Sequence, residues 1–388
     1  MPVINRLADA ADEITAWRQQ LHQTPELQYD LPVTSGFVAE QLQAFGCDEV
    51  VTGIGRTGVV GVIRGNGGAG RTIALRADMD ALPILERTGA VYASKTPGKM
   101  HACGHDGHTA MLLGAARHLA ETRNFAGTAI MVFQPAEEGG AGGRAMVQDG
   151  LMERFGIDEV YGMHNLPGLP VGFFGIREGA IMASADHVEI TIEGKGSHAA
   201  KPHEGVDVVL TGASIVTALQ QVVARNVDPL ESGVVSIAMF HAGDADNVLP
   251  PSAKLTGTLR SLSPAVRMQL RERVKQIAEG VAGAFGARAD VQFVEGYPVT
   301  MNHPAQAAFA QRVAEDVAGA PQVNGAAPPL MAAEDFAYML EARPGAYIFV
   351  GNGPSAGLHH PAYDFADAAI PFGASYWVRL VETALAPA

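Results

Sequence analysis

Cysteine is nearly absent: Cys47 and Cys103 are the only two in 388 residues. A disulfide framework is therefore excluded, and a single bridge would be out of place in a reducing compartment. Cations are short as well, with 27 Lys and Arg against 41 Asp and Glu and a net charge of −14. Nucleic-acid binding needs clustered cations, so that class of partner is excluded. A small anionic substrate is not, because one well-placed Arg can hold it. No apolar run reaches the roughly 18 residues of a membrane span. The stretch from Met1 to Arg18 mixes charge with an amphipathic pattern and has no signal-peptide apolar core. The cytoplasm is the expected compartment, and no membrane partner is expected.

Apolar residues make up 47% of the chain, enough for two cores, and the length exceeds one ordinary domain. Ile4, Leu7, Ala11, Ile14, Trp17 and Leu21 follow helix spacing. A second helix over 34–45 stops at Gly46. Strands over 59–63 and 72–76 flank the turn-forming run Gly65-Asn66-Gly67-Gly68. Next come a helix pattern over 109–119, a strand over 127–133, a helix over 143–151 and a strand over 159–163. Strands alternating with helices predict an α/β fold with a mostly parallel sheet flanked by helices. Asp80, the pair Glu137 and Glu138, and His164 each fall at the C-terminal end of a strand, where open α/β sheets place their sites.

The pattern changes at 184. Val188, Ile190 and Ile192 alternate with His187, Glu189 and Thr191, which predicts a half-buried strand. A helix over 206–224, strands over 234–240 and 253–262, a helix over 264–285 and a strand over 289–294 complete a βαββαβ order. That is the ferredoxin-like arrangement. It predicts an inserted α+β domain at 184–297. The first domain is then discontinuous, made of 1–183 and 298–388. Its last elements are helices over 304–317 and 333–341, a strand over 346–351 and a helix over 368–385.

The densest chemistry lies between Lys99 and His108, which holds His101, Cys103, His105, Asp106 and His108. Cys103 and His105 stand two apart, so an extended turn aims both at one ion. Thiolate and imidazole suit a borderline transition metal, not Mg²⁺ or Ca²⁺. Alone, each residue would be a buried free Cys and a surface His; their density favours a metal. Asp106 is placed to accept a ring N–H from a ligand His. His101 reads as a loop-orienting residue, and His108, opening a helix, as structural. Glu137-Glu138 follows an apolar strand and Pro135 and precedes Gly139-Gly140. On a bent loop one carboxylate can bind an ion while the other takes a proton from metal-acidified water; spacing does not say which does which. His164 and either His359 or His360 extend the donor set. Asp80 is either a turn cap or a carboxylate that orients a ligand His, with Asp78 competing for that role. In the insert, the glycines of 194–203 lack the strand–loop–helix pattern of a nucleotide loop. That leaves His198 as a candidate oxyanion donor. Asn247 and Arg260 suit a substrate carboxylate, with an ordinary surface Arg as the plainer reading of Arg260.

Taken in order, these motifs resemble one family. They are Arg76-Ala77-Asp78-Met79-Asp80-Ala81-Leu82-Pro83, Cys103-Gly104-His105-Asp106-Gly107-His108, Gln134-Pro135-Ala136-Glu137-Glu138, Gly162-Met163-His164-Asn165, Gly196-Ser197-His198-Ala199-Ala200 and Leu358-His359-His360-Pro361. Together they resemble the aminoacylase/carboxypeptidase-type dinuclear metallohydrolases. Within these the chain is similar to the subgroup of hippurate hydrolases, N-acyl-amino-acid amidohydrolases and auxin-conjugate hydrolases. The resemblance covers nearly the whole chain. It implies a discontinuous catalytic domain and an inserted lid domain that also forms a homodimer. It implies two divalent ions held by Cys103, His105, Glu138, His164 and His359, with Cys103 as a bridge. It makes Glu137 the general base, Asp80 the orienting carboxylate, His198 the oxyanion donor acting across the dimer, and Asn247 and Arg260 the carboxylate binders. His359, two residues before Pro361, takes the C-terminal ligand position. Asp78 stands where the wider family often has a metal-binding His, so Zn²⁺, Mn²⁺, Co²⁺ and Ni²⁺ all fit. The implied reaction is hydrolysis of the amide bond of an N-acyl amino acid. A metallo-dipeptidase or carboxypeptidase is the alternative, and a non-catalytic metal-dependent binding protein a further one.

Overall fold

The computed structural model describes residues 3–387. Two compact units divide the chain: one runs to Ile181 and resumes over Met301–Pro328 and from Asp335, and the other comprises Met182–Thr300 and Pro329–Glu334.

The larger unit is built on an eight-stranded sheet. Its centre is parallel, in the order Thr128–Gln134, Thr72–Asp78, Glu159–Leu166 and Gly345–Gly351. These strands are buried along almost their whole length, as expected where helices cover both faces. Outside them, Gly58–Arg64 pairs antiparallel with Thr128–Gln134, and Glu49–Ile54 forms the antiparallel edge. Half of that edge strand faces solvent and its pairing is interrupted at Gly53, so its residues carry no apolar alternation to betray it. The helix His105–Thr122 is buried on nearly every side, and its Met111 and Leu112 join Ile14 and Trp377 in one continuous core. It begins ahead of the apolar pattern because Gly104, at φ 87°, turns the chain into it. His105 thereby enters the first helical turn. The N-terminal helix divides at Ala10 into Asn5–Asp9 and Ala11–Gln23.

The smaller unit has one antiparallel sheet, in the order Gly233–Ala242, Ser252–Ser261, Ser184–Glu193 and Arg288–Glu295. Val188, Ile190 and Ile192 turn inward and pack with Leu255, Leu270 and Val274 beneath the helices Val208–Leu219 and Pro264–Ala284. Each helix has a proper start. Asp207 accepts from the Val209 and Leu210 amides, and Ser263 accepts from Val266 with Pro264 in the first turn. The first helix ends in a π-helical turn at Val222–Asn226. The unit also takes in Pro329–Glu334, which the sequence pattern leaves with the C-terminal segment. The Ala183 amide donates to the Leu330 and Ala332 carbonyls and so draws that stretch in.

Candidate metal centre and active site

The parallel strands of the larger unit deliver their chemistry to one edge. Thr72–Asp78 runs into Asp80, Thr128–Gln134 into Glu137 and Glu138, and Gly345–Gly351 toward His359, while His164 lies in the last part of Glu159–Leu166. Ala136 at φ 53° and His359 at φ 63° hold left-handed backbone there without being glycine. Such conformations persist only where surroundings impose them. The His359 amide donates to the Ala102 carbonyl at 2.8 Å, clipping the C-terminal segment to the Cys103 turn. The Ala136 amide donates to the Gln28 carbonyl at 3.1 Å, and the Gln28 side chain donates to the Glu138 carbonyl at 3.3 Å. Gln28 carries no signal in the sequence; its own φ of 50° is invisible there.

Hydrogen-bond accounting separates open donors from closed ones. His105 Nδ1 donates to the main-chain carbonyl of Asp80 at 2.8 Å, which leaves Nε2 with a lone pair. That Nε2 is buried without a hydrogen bond, 4.0 Å from Glu138 Oε1. His359 Nε2 lies 3.2 Å from the same Glu138 oxygen. His164 Nδ1 donates to the Asn165 carbonyl at 2.6 Å, and its Nε2 faces Cys103 Sγ at 3.4 Å. His105 and His164 thus each spend Nδ1–H on a protein oxygen and present Nε2, as metal-binding histidines do. Donor atoms of Cys103, Glu138 and His359 lie within 4.8 Å of one another, and so do those of His105, Glu137 and Glu138. Donors that converge in this way, with His105 Nε2 buried and open and His359 reaching in from the exposed side, fit a bound metal, and the thiol and imidazoles among them fit a borderline transition ion.

A third group, Asp78, His105, His108 and His164, is equally tight but closed at His108. His108 Nδ1 donates to Asp78 at 2.6 Å, and its Nε2 accepts from the Asn165 amide at 2.9 Å. No lone pair is left on that ring. Asp78 also accepts from Arg76 at 2.7 Å. His108 is therefore structural here.

The electrostatics favour a cation among these groups. Burial alone would lower the His105 pKa, yet Asp78, Asp80 and Glu138 raise it to about 10. Burial, with Glu138, Glu137 and Asp78 adding to it, pushes the Cys103 thiol well above its ordinary value. Burial and the neighbouring His108 keep His164 well below the usual imidazole range, hence neutral. Burial raises Glu138, but His359 and His105 hold it below the ordinary range. A divalent cation would supply the charge that these carboxylates demand and would ionise the thiol.

Asp80 meets His105 twice: its main-chain carbonyl accepts from Nδ1, and a carboxylate oxygen lies 3.6 Å from the same nitrogen. Its side-chain oxygens also accept the Glu137 and Glu138 amides at 2.9 and 3.1 Å, which the bent Glu137-Glu138 turn presents to it. Asp106, by contrast, does not serve His105. It accepts from His22 Nδ1 at 2.8 Å, with Arg18 at 3.6 Å. Successive helical residues point about 100° apart, so a neighbour of His105 in the same turn faces elsewhere. His101 is fully buried nearby, with both ring nitrogens unpartnered.

The remaining candidates lie in the smaller unit. His198 is exposed and pairs with Val248 in a short ladder, and its Nδ1 accepts from Ala200 at 3.0 Å. The Ala199 amide donates to the Asn247 carbonyl at 2.9 Å, so His198 and Asn247 sit on adjoining segments. Arg260 is half-buried on Ser252–Ser261 and donates to the Leu259 carbonyl at 3.0 Å and to the Thr258 hydroxyl.

A parallel sheet that gathers thiol, imidazole and carboxylate donors at the C-terminal ends of its strands defines a metal-binding α/β hydrolase. The chain belongs to peptidase family M20/M25/M40, whose match covers residues 74–383. It is 41% identical to the hippurate hydrolase of Campylobacter jejuni over 98% of both chains. It is 40% identical to thermostable carboxypeptidase 2 of Saccharolobus solfataricus over 91% of this chain and 90% of the relative. Among solved structures, a dinuclear metal-binding peptidase of the M20 family from Bacillus subtilis superposes with a TM-score of 0.86 at 33% identity, covering 97% of this chain and 99% of that one.

Proposed function

We propose that this hydrolase cleaves the amide bond of N-acyl amino acids, releasing a carboxylic acid and a free amino acid. The observation that carries the reading is the convergence of His105 Nε2, buried without a hydrogen bond, with the carboxylates of Glu138 and Glu137. Similarity to a hippurate hydrolase supports the substrate class. Cys103, His105, Glu138, His164 and His359 would hold two divalent ions, Zn²⁺, Mn²⁺, Co²⁺ or Ni²⁺. Bound ions supply Lewis acidity to the scissile carbonyl and to the attacking water. Glu137, its amide pinned by Asp80, takes the proton from that water and passes it to the leaving amine as the C–N bond breaks. His198 donates to the developing oxyanion. Arg260 and Asn247 bind the free carboxylate of the amino-acid portion.

The protein works as a cytoplasmic homodimer in this reading, with His198 acting across it. Gly233–Ala242 is a sheet edge, and Met239 and Phe240 on it are 51% and 38% exposed. Val209 and Leu210 on Val208–Leu219 are exposed as well. An apolar edge strand of this kind calls for a covering partner, and a second copy supplies one. No helix among the described residues is long and apolar enough to cross a membrane.

Similarity to a carboxypeptidase favours a second reading, cleavage of short peptides at the same site. Hydrolysis of hippurate, acetyl-methionine and a dipeptide, each with Zn²⁺, Mn²⁺, Co²⁺ and Ni²⁺, separates the two. The acyl substrates should turn over faster. Faster dipeptide cleavage would favour the second reading, and inactivity on the whole panel would leave a binding protein.

A further inference from the structure

We infer that Asn165, anchored by Tyr363, is a positioning residue that sets the approach of Cys103 to His164. The inference rests on the assignment of those two residues as ligands. Asn165 is completely buried and is bonded on all sides. Its side-chain amide donates to the Cys103 carbonyl at 2.6 Å. Its main-chain carbonyl accepts from His164 Nδ1 at 2.6 Å, and its main-chain amide donates to His108 Nε2 at 2.9 Å. One residue therefore touches the Cys103 turn, the His164 ring and the helix that His105 opens. Tyr363 adds the fourth segment. Its amide donates to the His360 carbonyl at 2.9 Å, and its fully buried hydroxyl donates to Asn165 Oδ1 at 2.7 Å.

The Cys103 carbonyl decides which way the amide faces, and the Tyr363 hydroxyl holds it there. An amide can occupy the same space in two orientations with nitrogen and oxygen exchanged. The carbonyl can only accept, so Nδ2 must face Cys103, and Oδ1 then receives the Tyr363 proton. Reversed, an amide oxygen would sit at 2.6 Å from the Cys103 carbonyl oxygen and at 3.0 Å from the His108 Nε2 lone pair. Both contacts would turn repulsive. The turn is also closed tightly over this pair. A Cβ at Gly104 would stand 2.3 Å from Asn165 Nδ2 and 2.5 Å from the Tyr363 hydroxyl. With φ at 87°, Gly104 is required twice over: the conformation needs glycine, and the neighbours leave no room for a side chain. The donor spacing is thus built into the protein rather than imposed by the ion.

Titration with Co²⁺ tests this, because a cobalt–thiolate contact gives a charge-transfer absorption band that reports on Cys103 directly. Wild-type protein should show the band, and Cys103→Ala should lose it. Tyr363→Phe removes one hydroxyl and little packing. It should shift or weaken the band and raise the Co²⁺ dissociation constant about 10–100-fold, the range for outer partners of metal ligands. With ions saturating, its KM for an acyl amino acid should stay unchanged while kcat falls. Asn165→Asp, which places an acceptor against the Cys103 carbonyl, should show the larger effect in the same direction. Wild-type bands and affinities in both variants would overturn the positioning role. A wild-type protein without a band sensitive to Cys103→Ala would overturn the ligand assignment itself, and the positioning role with it.

Discussion

In the larger unit Arg76, Asp78, His105, His108, Glu137 and His164 are all buried. There ring nitrogens and carboxylate oxygens are met by specific groups, Asp78 by Arg76 and His108, Asp80 by two consecutive amides. In the smaller unit His198 and Asn247 are exposed, and Arg260 is half-buried beside its own strand. The first arrangement commits its residues before any ligand arrives. Desolvated groups with fixed partners interact strongly, and a buried polar atom left open beside other metal donors, as His105 Nε2 is, suits a ligand. The second arrangement leaves its residues solvated, so a substrate must organise them. In the proposed reaction, proton transfer falls to the first kind of site, and binding of the oxyanion and the substrate carboxylate to the second.

Four measurements put that contrast at risk. The largest effect is expected from Glu137→Gln, which keeps the shape and removes the proton acceptor. Its kcat should fall about 100–10,000-fold with metal content unchanged, measured by steady-state kinetics and elemental analysis of the same sample. Near wild-type turnover would remove the chemistry from the buried site. His198→Ala should come next, lowering kcat about 100–1,000-fold, the range for one oxyanion donor. Because His198 is exposed, its melting temperature should stay where it is. A variant that loses stability together with activity would erase the distinction between the two kinds of residue.

Ile190→Ala then asks whether the units are energetically separate. Ile190 is fully buried in the core of the insert, and truncation there should cost about 2–5 kcal/mol. Denaturant unfolding should show that loss while the metal content of the larger unit is retained below the transition. Loss of metal at the same denaturant concentration would show that the units unfold as one.

The smallest effect concerns pH. Burial lowers the His22 pKa, but Asp106 and Glu86 raise it from 6.5 to about 9. A raised folded-state pKa means that the stabilisation is fully present below 6.5 and is lost as pH rises toward 9. Glu86 moves the other way. Burial raises it, but bonds from His22, Thr88 and the Ser94 amide bring it from 4.5 down to about 2, so its contribution is present above 4.5 and fades toward pH 2. Melting temperature against pH should therefore decline from 6.5 to 9, and His22→Gln should flatten that limb. An unchanged limb in the variant would remove this pair as its cause.

Much of the architecture was legible in the chain. Long apolar strands alternating with helices announced the parallel sheet, and a switch to period-two alternation at 184 announced the insert. The edge strand Glu49–Ile54 escaped because half of its residues face solvent. The early start of His105–Thr122 escaped because its first turn is polar and buried, which no hydrophobic pattern signals. Arg18 and His22 were hidden in an amphipathic helix, where their burial depends on Asp106, far along the chain.

The sequence by itself determined which donor types are available and at which strand ends they stand. Hydrophobic periodicity defines the strands, and the order of the motifs assigns a donor set to the end of each. Only the tertiary structure decided which of those donors stay open. His105 and His108 belong to one motif and one helical turn, yet the first keeps a free Nε2 and the second has none. The difference lies in Asp80, Asp78 and Asn165, which come from other segments of the sheet. A ring nitrogen becomes a ligand or a structural acceptor according to what folding places against its other side.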